Sequence, residues 1–254
     1  MTPISTTLRD IFCTLSDVRD SSPLIGRPKG WLALLNHIHR GQLPELEKLL
    51  ASDSHLAIYE EGDQMPNFLT SFYGESSFDP PQTALCIAAI SAPVEIAKAL
   101  VAHGANVDGV TASEEVRSSP LFMAILNDNL PIAEFLIAKG ANLEKQLLQC
   151  SNKVSPLNAA ISCGRFSIAN LLIEHGADVN QKDESGKTPL FYFLTGALFQ
   201  SEKDKTGILK QLAKTLVDSG ADLSLLDDET VCASLQEKAD FYSVGELTQP
   251  LIQR

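Results

Sequence analysis

His103 and His175 are the first side chains to weigh for chemistry, because each stands one residue before a glycine at the end of an apolar stripe. Two histidines in equivalent places could ligate a metal. A histidine at a helix C-terminus, however, also caps carbonyls and meets the helix dipole favourably. That role covers both residues, so we expect no metal site. His37 and His39 are two apart and face different directions on a helix, and His55 stands alone. The five cysteines (Cys13, Cys86, Cys150, Cys163 and Cys232) are odd in number and scattered, with no Cys-x-x-Cys pair. Such usage suits free thiols in a reducing compartment. The pairs Glu60-Glu61 and Glu114-Glu115 read as solvated loop charges rather than as an acid–base couple. No glycine-rich phosphate loop, His-Glu-x-x-His helix or Gly-x-Ser-x-Gly elbow is found. We therefore expect a non-enzymatic protein without cofactor or metal.

Behind these residues stands a chain of 254 residues, long enough for one large domain or two small ones with a core that needs no disulfide or metal staple. Hydrophobic residues at 44% and charged residues at 20% fit a folded chain. Twenty basic and 32 acidic residues give a net charge of −12. A protein this acidic repels phosphate backbones and anionic membrane surfaces, so nucleic acid is not an expected partner. Arg9, Asp10, Asp17 and Asp20 break up the N-terminus, which does not read as a signal peptide. The longest apolar stretch, 84–101, is interrupted by Glu95 and Lys98, so no membrane insertion is expected. No Asn-x-Ser/Thr sequon occurs. We expect a monomer in the cytoplasm or another reducing intracellular compartment.

The organising feature is an internal repeat. Gly-Ala-Asn-Val at 104–107, Gly-Ala-Asn-Leu at 140–143, Gly-Ala-Asp-Val at 176–179 and Gly-Ala-Asp-Leu at 220–223 are spaced by 36, 36 and 44 residues. Each is preceded by an opening marker: Thr83-Ala84-Leu85, Ser119-Pro120-Leu121, Ser155-Pro156-Leu157 or Thr188-Pro189-Leu190. Marker and glycine lie 21 residues apart in three units and 32 in the fourth. Ser or Thr caps a helix N-terminus, and proline suits the first turn. A short first helix runs through Ala88-Ala89, Ala124-Ile125 and Ala159-Ala160, and a break follows at Asp128 or Gly164. The second helix carries a stripe at helical period: Ile96, Ala97, Leu100 and Val101, with counterparts from Ile132 and Ile168. Gly104, Gly140, Gly176 and Gly220 then stop that helix in the left-handed conformation. Each hairpin is too small to bury its own stripe and must stack on its neighbours.

These residues resemble the ankyrin repeat family, whose pattern is Thr-Pro-Leu-His, Ala-Ala, Leu-Leu and Gly-Ala-Asp-Val-Asn. Thr188-Pro189-Leu190 matches its opening and Gly176 through Asn180 its close. The resemblance covers 82–224 and implies an all-α solenoid of stacked helical hairpins with finger loops. The family histidine, which ties successive turns together, is replaced by Cys86, Phe122, Asn158 and Phe191, which implies a looser array. Asn180 stands where family members can be hydroxylated; a turn role is the plainer reading.

The expected organisation is an N-terminal helix and link at 1–30, a degraded first repeat at 31–59, and an aromatic insertion at 60–81. Four repeats follow at 82–117, 118–153, 154–186 and 187–224, the last with an insertion at 195–207, and a partial capping repeat with a tail fills 225–254. The insertion at 60–81 holds Phe68, Phe72, Tyr73 and Phe78, among prolines and glycines that make it a loop. It is either a partner-docking loop or a flap over the imperfect first repeat. The charges around Ser201–Lys205 alternate in sign and read as a solvated face.

What the resemblance implies about function is protein–protein binding. Family members bind partners with the two residues after Ala-Ala and with the fingers between repeats. By position these are Ile90 and Ser91, Leu126 and Asn127, and Ser162 and Cys163. The fingers are 108–117 with Glu114, Glu115 and Arg117, 144–154 with Gln146 and Gln149, and 181–187 with Lys182 and Glu184. We expect a scaffold or adaptor for a partner protein. The alternative is a regulator that blocks an enzyme through the 60–81 loop with Phe68, Phe72 and Tyr73. A third reading is a host-directed bacterial effector acting in the host cell.

Overall fold

The computed structural model describes residues 30–58, 83–109, 119–149, 152–195 and 206–222. The expected N-terminal helix, the 60–81 loop, most of the 195–207 insertion and the 225–254 cap lie outside the described residues. So do the site residues Phe68, Phe72, Tyr73, Glu114, Glu115 and Arg117. The chain divides into two compact units, Met1–Ala141 and Asn142–Arg254.

In the first unit the helices come in hairpins. Helix α1 (Trp31–Arg40) turns at Gly41 into α2 (Leu43–Ser52), and a short α3 (His55–Ile58) follows. Helix α4 (Ala84–Ser91) pairs with α5 (Val94–Ala102), and α6 (Pro120–Leu126) with α7 (Leu130–Ala138). The first helices of the hairpins pack in the order α1, α4, α6, and the second helices in the order α2, α5, α7. In the second unit a two-stranded antiparallel hairpin, β1 (Leu147–Gln149) with β2 (Asn152–Val154), precedes α8 (Pro156–Ser162) and α9 (Phe166–Glu174). Helices α10 (Pro189–Thr195) and α11 (Thr206–Asp218) close the described part; α8 packs on α10 and α9 on α11.

The opening markers act as caps in all four places. Thr83, Ser119, Ser155 and Thr188 each accept a hydrogen bond from the backbone N–H three residues on, at 3.2–3.3 Å. The hydroxyl satisfies one of the orphan amides of each helix start and is worth about 1 kcal/mol. The closing glycines adopt φ of +83 to +96°. Around each, the glycine N–H donates to the carbonyl three residues back and the following alanine to the carbonyl five back, as in Gly104 to Val101 and Ala105 to Leu100. This pair of bonds is the Schellman arrangement, and it buries the alanine against the end of the stripe.

The stripe forms the core. Ile96, Ala97 and Leu100, Ile132, Ala133 and Leu136, and Ile168, Ala169 and Leu172 are fully buried, with Ala88-Ala89 and Ala159-Ala160 behind them. A buried leucine or isoleucine contributes roughly 2 kcal/mol, so the repeated stripe outweighs the intrinsic weakness of seven- to nine-residue helices. In α1, Trp31, Leu34 and Ile38 bury the same way.

Two details go beyond the expected pattern. The described residues are mostly helical, but the 144–154 finger is not plain loop: it carries the β1–β2 hairpin, paired Leu147 to Val154 and Gln149 to Asn152. The loss of the family histidine also does not free every turn. The buried Asn158 takes that place and donates its amide to the carbonyls of Gln181 and Lys187, at 3.3 and 3.4 Å.

Candidate interaction surfaces

Within the first unit the ends of the first helices form one row. A Cβ on Gly41 would lie 3.3 Å from Pro93 Cγ, so the turn after α1 rests on the turn after α4. The Asn129 amide, 3.4 Å from the carbonyls of Ala89 and Ala92, ties the turn after α6 to the same place. The row therefore runs from His39 and Arg40 through Ile90 and Ser91 to Leu126 and Asn127. Ile90 and Leu126 hold equivalent positions on neighbouring helices, and both are half-buried. Ser91 is exposed, while Asn127 folds back to donate to the Met123 carbonyl at 2.9 Å.

The second unit places Ser162 and Cys163 at the matching end of α8, both half-buried. Ser162 donates its hydroxyl to the Ala159 carbonyl, at 3.1 Å, and Cys163 is not part of a disulfide.

The two fingers of this unit are bound to each other. Gln146 donates its amide to the Lys182 carbonyl, at 2.8 Å, and Gln181 donates to the Glu144 carbonyl, at 3.0 Å. The Glu144 carboxylate accepts from the Asp178 N–H. Along β2, the Lys153 N–H donates to the Glu184 carboxylate, the Glu184 N–H returns to the Lys153 carbonyl, and the two side chains pair at 3.7 Å. Gln146 and Glu184 are thus engaged between fingers, and Lys182 keeps an exposed side chain while its carbonyl is taken.

At the centre of this lattice sits Asp183, 6% exposed. One carboxylate oxygen accepts from the N–H groups of Ser185 and Lys187; the other accepts from the Asn152 amide and the Tyr192 hydroxyl. Burial pushes the carboxyl pKa up, but the bonds from Tyr192, Lys187, Asn152 and Ser185 outweigh it and hold the group below its ordinary 3.8. Burial first, and the Asp183 carboxylate second, push the Tyr192 phenol up to about 12. From the sequence, Tyr192 reads with Phe191, Phe193 and Phe199 as filling of the contact with a neighbouring unit, and Asp183 and Asn152 are not singled out. The available signal was the spacing Asp183-x-x-Gly186-x-Thr188, an acid that can close a turn just ahead of a helix cap.

Asn180 holds a turn. Its amide donates to the Gly220 carbonyl at 2.9 Å and its oxygen accepts from the Asp222 N–H at 2.7 Å, binding one repeat end to the next. His103 caps its own helix, with Nδ1 2.9 Å from the Ala99 carbonyl. Among the described residues no three His, Cys, Asp or Glu side chains converge as metal ligands, and no helix is long and apolar enough to cross a membrane.

Two family models match the chain: ankyrin repeats in three copies over 54–147, and ankyrin repeats in many copies over 143–193. No curated protein matches it.

Proposed function

Since the chain belongs to the ankyrin repeat family, whose repeats are generally protein–protein interaction modules, we propose that it is a non-enzymatic scaffold or adaptor. Its repeats stack as a solenoid, and it binds a partner protein through the first-helix row and the fingers. The observation that carries this reading is the row itself. Ile90 and Leu126 stand at neighbouring, equivalent, partly exposed positions, on helices that hold no acidic residue. Apolar side chains rimmed by polar ones make the usual centre of a protein interface. In the second unit, taken by itself, the two fingers are already bound to each other, which lowers the ordering cost of docking on them. The test is capture of partners by the full chain, identification by mass spectrometry, and a hydrogen-exchange footprint of the complex. Protection at 87–91 and 123–127 supports the reading; protection confined elsewhere counts against it.

The second reading is a regulator that blocks an enzyme through 60–81, favoured by four aromatic residues within 22. Replacing 61–77 with a glycine linker separates the two. Loss of capture with an unchanged melting temperature favours the loop, whereas a fall in melting temperature with capture retained makes it a flap. A host-directed effector role would be the same binding activity exercised in a host cell.

A further inference from the structure

Charge is distributed unevenly over the first unit. The second helices carry Glu45, Glu47, Lys48, Glu95, Lys98 and Glu134. The first helices α1, α4 and α6 hold no Asp, Glu or Lys at all, and their one fixed charge is Arg40, next to His39. In a chain of net charge −12 this is a cationic spot at one end of an uncharged row. At the α6 end the turn carries the reverse charge: Asp128, exposed at φ 59°. The contact of Gly41 with Pro93 sets the end of α1, which carries Arg40, against the turn that follows Ile90 and Ser91, and Asn129 ties the turn of Asp128 after Leu126 to the same place.

We propose that the row binds a protein segment of apolar residues with a carboxylate at one end, the acidic end seated on Arg40 and the apolar side chains over Ile90 and Leu126. This rests on the row being the docking face. Arg40, exposed at a helix end, presents a planar fork that fits a carboxylate bidentately. Asp128 repels an acidic residue at the other end, so the segment has one preferred direction. An apolar segment with a basic end over α1 meets repulsion from Arg40.

The test is selection from a random displayed-peptide library on the purified full chain, on Arg40→Glu, and on Ile90→Asp with Leu126→Asp, each shown to be folded by circular dichroism. The proposal expects apolar peptides with Asp or Glu toward one end on the natural chain. It also expects at least a tenfold weaker hold on Arg40→Glu, loss in 0.5 M salt, and enrichment of Lys or Arg on that variant. Acidic peptides held equally by Arg40→Glu overturn the proposal but leave the docking face standing. Peptides held equally by the Ile90–Leu126 variant overturn the docking face itself. Selection of no peptide overturns the proposal, and so does self-association abolished by Arg40→Glu, which would give the row to a second copy.

Discussion

Asp183 and Tyr192 show how much of a finger can hang on one carboxylate. Four donors converge on Asp183, so Asp183→Ala should strand the Asn152 amide, the Tyr192 hydroxyl and two backbone N–H groups. We expect a loss of about 2–3 kcal/mol, read by chemical denaturation. Because the folded pKa lies below 3.8, the stabilisation is present above that value and is lost as pH falls through the folded value. Asp183→Asn should therefore destabilise at pH 7 and converge with the parent chain once the pH has fallen through the folded carboxyl value. Tyr192 runs the other way: its contribution is complete below pH 10 and fades as pH rises toward about 12. In Asp183→Asn its phenolate absorbance should appear at lower pH than in the parent; an unchanged titration would remove Asp183 from the hub.

At the scale of elements, each repeat is set by its two ends. Gly140 has φ +85°, and a Cβ there would meet nothing within 4 Å. The penalty for Gly140→Val is thus backbone strain alone, more than about 1 kcal/mol, seen as a lower melting temperature. Ser155→Ala removes a buried cap and should cost about 1 kcal/mol in denaturant titration. Both ends were legible in the sequence, since a hydroxyl before Pro-Leu and a glycine before Ala act within a few residues of themselves. The β1–β2 hairpin was not. Lys153 and Glu184 sit 31 residues apart, and only the folded chain brings that strand and that finger together. Asn158 was legible as a departure from the family histidine but not as its replacement, because its acceptors at Gln181 and Lys187 lie more than twenty residues on.

At the scale of the whole molecule, a repeat protein works by aligning equivalent positions into a surface, so its function is tested at those positions rather than at any reactive group. The central claim is that the row through Ile90 and Leu126 is where the partner docks. The most direct measurement is partner capture by Ile90→Asp with Leu126→Asp, beside circular dichroism and thermal melting of the same preparation. Both side chains are half-buried, so folding is read on the same preparation, and a loss of capture counts only where the melting curve shows a folded chain. The prediction is a folded protein that no longer captures the partners of the parent chain. A double variant that unfolds, or that stays folded and holds the same partners, contradicts it.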